Sequence, residues 1–436
     1  MGETAPTAGG GAACLTTGTK VAAIVYPKYP PEEHPGCRRA RENRERLRKG
    51  VRRVMEESHL ERSAPRPSSR GGAIGSIALI RMVWRAAVCA SAGALCVHAT
   101  ACGSDPTEPS ARPGMVFFTA ASQRRLLVVD AEALSRNETG FQPAAQTINV
   151  GAGPWDVALS ADGRLIFVAN RLDDNVQIIS TASGAIIGSV TVGLSPVSLH
   201  LGAGGRYLYV ASTTGRTVSV VDVGAFSNGG ESAGRAALTV RNTIFLSSVG
   251  WLTGTSDGTR LVVTMPSDDA VAIIDTVDDS VLHVIPVGDA PQMIVIGPDD
   301  RTAYVPNFIS ETVTVIDVRT GSVTDEIPLA EGAHGAVGVA VSPDGRYLYV
   351  TRWSAGNELD RGTLEKIDLV SRKTVARIEV GPQPFDVEIS PDGRLAVVSS
   401  FTGMVATVDL AAERSVLAEV GAGMMGGLAF AVASGN

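Results

Sequence analysis

From about residue 114 onward, short apolar runs alternate with breaks rich in Gly and Asp. The runs are roughly five to eight residues long and β-branched, a pattern of strands rather than helices. One stretch parses cleanly. Trp155 to Ser160 predicts an inner strand, and Ala161-Asp162-Gly163 a tight turn. Leu165 to Ala169 is almost wholly apolar, as expected of a strand covered on both faces. Asn175 to Ser180 predicts a third strand and Ile186 to Val192 an outer one, ended by Gly193.

The same order recurs. GPWDVALSADGRLIFVAN (153–170) aligns with QPFDVEISPDGRLAVVSS (383–400), with further copies at 337–352 and 292–307 and diverged ones at 197–212 and 251–266. The turn positions Asp162, Gly204, Asp257, Asp299, Asp344 and Asp392 step by 42, 53, 42, 45 and 48 residues. A second mark follows each third strand: Asp130, Asp222, Asp275, Asp317, Asp368 and Asp409, with Ser180 breaking the series. Four strands with short turns take about that length, which is the period of a propeller blade. Six turns give six full repeats. Residues 114–151 start directly on a second-strand pattern, and GLAFAVAS (427–434) reads as a lone first strand. Joined, they make a seventh blade. The expected fold is therefore all-β: a seven-bladed β-propeller of four-stranded antiparallel blades over 114–436, closed by a C-terminal strand completing the first blade.

The segments FVAN (167–170), YVAS (209–212), YVPN (304–307) and YVTR (349–352), with SPDGR at 342–346 and 390–394, resemble the YVTN β-propeller repeat family over about 115–434. That resemblance implies the fold. Some propellers similar to these are lactonases or parts of haem and quinone dehydrogenase systems, so it leaves function open.

Charge divides the chain. Residues 1–101 hold 16 basic and 8 acidic side chains, the rest 22 and 37. The acidic body would repel phosphate backbones, so no nucleic-acid partner is expected. The five cysteines are Cys14, Cys37, Cys89, Cys96 and Cys102, so the propeller region has neither a disulfide nor a thiolate metal site.

The last of them sits in a telling place. Residues 82–101 (MVWRAAVCASAGALCVHATA) begin with a basic residue, Arg85, and continue in small and apolar ones, which predicts a signal peptide. Ala99-Thr100-Ala101-Cys102 resembles the lipobox of bacterial lipoproteins, although Ala99 stands where that family usually has Leu. The resemblance implies lipidation of Cys102 and an exported lipoprotein anchored in a membrane, facing the periplasm or the cell surface, in the outer membrane if the cell has two. Residues 102–113 supply a polar, Pro-rich tether. Residues 1–81 are rich in Arg, Gly, Pro and Ala without sustained periodicity. They are expected to be disordered, or not made if translation starts at Met82.

In such a ring, the loops before the first strand and after the second share the face around the channel mouth. Trp155, Trp251, Gln292, His334, Phe385 and Met425 fall on the first kind of loop. Arg171, Phe308, Arg352, Trp353 and Phe401 fall on the second. Aromatic and Arg residues suit a binding face, while mutual packing is the plainer use of the rings. Trp155, Arg171, Trp251, Phe308, His334, Arg352, Trp353, Phe385 and Phe401 are the expected ligand face, for a protein, a glycan or a small molecule. His334 is the one candidate acid or base, with Glu331 and Arg352 nearby in sequence. No haem, phosphate-loop, zinc or Ser-His-Asp motif is legible, so neither a cofactor nor a metal is expected. The acidic pairs Asp173-Asp174 and Asp268-Asp269, with Glu311, are read as turn chemistry. The leading expectation is a monomeric, non-catalytic envelope lipoprotein used for binding. Its rivals are a lactonase-like hydrolase or dehydrogenase accessory subunit, and a surface-layer-like scaffold.

Overall fold

A computed structural model describes residues 115–136, 146–227, 238–330, 333–354, 361–419 and 425–430. Residues 1–81, the signal peptide, Cys102 and the tether lie outside the described residues. Among the described residues no helix is long and apolar enough to cross a membrane.

The chain forms seven four-stranded antiparallel sheets arranged as a ring of blades. Blade 1 combines Met425–Phe430 with Met115–Ala120, Arg125–Asp130 and Gln146–Asn149, so the C-terminal strand pairs with the first strand as the repeat count requires. Blades 2 to 7 run consecutively from Pro154, Pro196, Leu252, Val295, Ala333 and Pro384, each from its inner strand outward. The closing strand begins at Met425, two residues before the expected 427–434, of which 431–434 lie outside the described residues. In blade 2 the third strand has the expected ends, Asn175–Ser180, and the outer one is Ile186–Thr191.

Burial follows position in the blade. Leu165–Asn170, a second strand, is buried at every residue because a neighbouring blade covers each face. An outer strand, Val281–Pro286, is exposed at all but one position. Among the described residues seven apolar clusters account for the core, each centred on the seam between successive blades. Phe117, Leu126 and Val128 of blade 1, for example, meet Ile166, Val168 and Ile179 of blade 2.

Both repeated sequence marks have a physical job. In the Ser-x-Asp-Gly turn the hydroxyl of Ser160 donates to Asp162 at 2.6 Å and accepts the Leu165 N–H at 2.9 Å. Gly163 supplies the left-handed conformation, φ 69°, that closes the turn. Ser390 and Asp392 repeat this arrangement. The Asp after the third strand caps the next turn, as Asp317 does by accepting the N–H groups of Arg319 and Thr320. It also pairs with an Arg of the earlier turn, as in Arg260 with Asp275 at 2.8 Å and Arg206 with Asp222 at 3.1 Å. The acidic pairs serve turns too. Asp174 and Asp269 sit at φ 52° and 51° and accept the N–H groups of Ser195 and Ala290 in the following blades.

Candidate functional site: an aromatic mouth over an acidic channel

The inner strands start with bulges. Pro154 pairs with Asn170 and Asp156 with Ala169, which leaves Trp155 as an extra residue. Phe385 and Asp386 together face Ser399 in the same way. A bulge re-aims the side chain it carries, and here it brings aromatic rings to the mouth. Hydroxyls from the preceding blade hold the bulged backbone: Thr119 donates to the Trp155 carbonyl at 3.1 Å, Thr351 to that of Phe385 at 3.1 Å, and Ser399 to that of Gly426 at 3.0 Å.

The rings form one continuous cluster. Phe308 meets Trp353 edge-on at 5.4 Å, Trp353 meets Phe401 at 6.0 Å, and Phe401 lies 4.4 Å from Phe385. Phe385 then touches Trp155 at 5.9 Å and Trp251 at 6.3 Å. Trp251 belongs to blade 4 and Phe385 to blade 7, three blades apart, so their contact crosses the axis of the ring. Arg171 lies over the Trp155 ring at 4.7 Å. The Trp353 indole donates to the Pro384 carbonyl at 2.8 Å, whereas the buried Trp155 indole N–H has no acceptor among the described residues.

Two expected rim residues stand elsewhere or carry less information. Arg352 is not on the face: it is 0% exposed, inside blade 6, paired with Glu365 at 2.8 Å and near Glu311 at 3.9 Å. Burial pulls its pKa down while the two glutamates act against that. Arg352 stands on the second strand Tyr347–Ser354 at the position that Asn170, Ser212, Asn307 and Ser400 hold in other blades, and all of these are buried. His334 pairs through its backbone with Trp353, and its side chain lies outside the described residues.

Beneath the rings the channel opens into a cavity of about 440 Å³, lined by the inner strands of the blades. Its polar wall was not anticipated. Asp156, Asp386 and Glu388 line it, with His200, Ser198 and Thr253, and no Lys or Arg is among the lining residues. Asp156 accepts the Leu199 N–H at 2.7 Å, and Asp386 accepts that of Leu428 at 3.1 Å. Each thereby staples its blade to the next inner strand. Glu388 has no hydrogen-bond donor among the described residues and sits two positions from Asp386, on the same side of the strand. These side chains are half-buried by area because the channel reaches them, yet protein surrounds them. Loss of solvation raises Asp156 to about 7, helped by the charge of Asp386, and raises Asp386 to about 6. It lifts Glu388 to about 8, with both aspartates adding to the effect. Burial lowers His200 to about 4, so it is neutral at pH 7.

The signal for these acids was present in the aligned copies. WDVALS and FDVEIS each place an Asp directly after an aromatic residue on an inner strand, and the second adds Glu388 at alternate spacing. An acid inside an apolar strand is the cue.

The ring is thus a closed seven-bladed β-propeller with an aromatic mouth over an acidic channel. Residues 331–425 match the family model described as the cytochrome D1 heme domain. Over 297 residues the chain is 25% identical to the seven-bladed beta-propeller protein Rv1057 of Mycobacterium tuberculosis, covering 60% of this chain and 62% of that protein. Over 117 residues it is 31% identical to antigen Lp49 of Leptospira interrogans, a quarter of each chain. The chain therefore spans less than two thirds of either relative. Among solved structures it resembles Kuenenia stuttgartiensis hydrazine synthase at a TM-score of 0.53, with 21% identity, 59% of this chain and 77% of that one. It also resembles a Bacteroides fragilis protein described as a candidate 6-phosphogluconolactonase at a TM-score of 0.58, with 17% identity, 72% of this chain and 97% of that one. At such identities these structures speak for the fold.

The family match raises the question of haem. The described mouth does not fit one, because packed rings cross the axis where a flat macrocycle would lie. Of the histidines with described side chains, His283 is on an outer strand and His200 is within the channel. Neither stands at the mouth. Among the described residues no group of three His, Cys, Asp or Glu is placed to hold a metal ion.

Proposed function

We propose that this chain is an envelope lipoprotein of the YVTN-repeat type whose propeller binds a small ligand at the aromatic mouth and in the channel beneath it. The observation that carries the binding reading is the union of the two features: a ring cluster across the axis above a polar-walled cavity of about 440 Å³. That volume lies within the usual range for ligand sites, which are apolar with a few placed polar groups. The lipobox-like Cys102 and its Pro-rich tether support the anchor. Two acyl chains or more would hold the ring at a bilayer firmly.

Tryptophan emission reports directly on this site, since Trp155, Trp251 and Trp353 all belong to the cluster. A panel of neutral sugars, short peptides and amines should include a saturable quencher, weakened by Phe401→Ala at unchanged melting temperature. A panel that leaves the emission untouched overturns the reading.

A hydrolase remains the second reading, favoured by one observation. Three carboxyl groups poised between about 6 and 8 in one cavity are what acid and base catalysis uses. A phosphorylated lactone suits it poorly, because the wall is acidic and lacks a base to receive the phosphate. Arg352, buried and paired, is not available as such a base.

A further inference from the structure

The channel wall carries an unbalanced charge. Asp156, Asp386 and Glu388 converge on one cavity with no basic side chain in its lining, and His200 is neutral there. Two of the acids have a structural use, as acceptors for the Leu199 and Leu428 amides. Glu388 has none, and its carboxylate faces the cavity without a donor. Burying a charge is costly unless it is paired, so each carboxylate must take a proton or meet a cation. The mouth end of the cavity is aromatic. Trp155, Trp251 and Phe385 line it, and the Trp155 ring already has one cation, Arg171, stacked over it. Aromatic faces with carboxylates behind them are the surroundings that bind an ammonium group. A bare metal ion suits the cavity less, since no three ligating side chains are grouped to hold one.

We propose that the channel is a site for a small organic cation. The ammonium group lies between the aromatic end and Glu388, with Asp156 and Asp386 flanking it. This rests on the reading of the mouth and channel as a ligand site and names its ligand class. Glu388 holds a proton near neutrality, and an entering cation displaces it, so binding releases protons and tightens as pH rises. The groups facing the bound cation are Asp156, Asp386, Glu388 and neutral His200.

The test uses the full mature protein and two probes of nearly equal shape: choline and its uncharged analogue 3,3-dimethylbutan-1-ol. Choline should quench tryptophan emission saturably, at least tenfold more tightly than the alcohol. Calorimetry in two buffers of different ionisation enthalpy should show proton release at pH 7, and affinity should rise between pH 6 and pH 8.5. Glu388→Gln should weaken choline at least tenfold, remove most of the proton release and melt cooperatively at a temperature no lower than the parent's at pH 7, while Asp386→Asn serves as a second variant if the first misfolds. Equal affinity for the alcohol, full choline binding in Glu388→Gln, or stronger quenching by calcium would each overturn the proposal. A neutral sugar that quenches where choline does not refutes the cation and leaves the ligand site standing. Silence from every probe removes both.

Discussion

Arg352 carries a charge into the interior of blade 6, where Glu365 meets it and also accepts the Ala330 N–H and the Thr374 hydroxyl. Removing one member of such a pair strands the other, at a cost of about 3–5 kcal/mol. Arg352→Met should therefore lose stability on that scale in urea denaturation. Arg352→Met combined with Glu365→Leu should regain most of it, because no unpaired charge remains. A double variant no better than the single one would show that the pair does more than neutralise itself. The aromatic residues were legible in the sequence because the repeat marks the ends of its inner and second strands, although Trp155, Phe385 and Trp353 lie within those strands and not on the expected loops. Arg352 was misplaced because a charged residue reads as surface, although it aligns with Asn170, Ser212, Asn307 and Ser400, the buried last residues of other second strands.

At the scale of the strand, the closing segment Met425–Phe430 places Gly426 and Gly427 where its neighbours leave no room. A Cβ on Gly426 would overlap the Trp155 carbonyl oxygen, and one on Gly427 the Asp156 carboxylate. Backbone cannot move aside as a side chain can. Gly426→Ala is thus expected to pry the closing strand from blade 2 and lower the melting temperature by several degrees, about 2–4 °C for each kcal/mol lost. An unchanged melting temperature would mean that the strand shifts freely along its partner. Strands two and three were readable almost to the residue, since burial on both faces makes the second nearly all apolar and an Asp ends most of the third. The inner strands of blades 4 and 5 pair over three and two residues, and their turns rather than their hydrophobicity marked them. The channel acids are marked in the sequence only as an Asp after an aromatic residue on two inner strands, and that they share one cavity shows only when the strands meet around the axis.

The whole ring inherits a pH response from its channel. Asp156, Asp386 and Glu388 titrate at about 7, 6 and 8 in the fold, against 3.8, 3.8 and 4.5 ordinarily. From about pH 4 to pH 8 the folded ring holds protons that the unfolded chain has released, so these groups make stability fall as pH rises. His200 acts oppositely between about pH 4 and 6.5, because folding keeps it neutral, and one such group does not offset three. Calorimetry should therefore record a lower melting temperature at pH 8.5 than at pH 5.5, and a shallower decline in Glu388→Gln. A melting temperature that climbs steadily with pH would remove the channel carboxyls as its source. Seven blades and their seam were legible because a ring repeats its grammar, while the channel is written once, by residues that meet across the axis. The seam itself sets a schedule for assembly. Met115–Ala120 finds its partner about 300 residues later, so a chain emerging N-terminus first holds one bare edge until its closing strand arrives. Pairing over such a separation is slow, and an edge left open through that interval is a template for a second chain. Newly made copies are thus most prone to join one another just before they are finished, and crowding during synthesis weighs on the yield more than the strength of the finished ring.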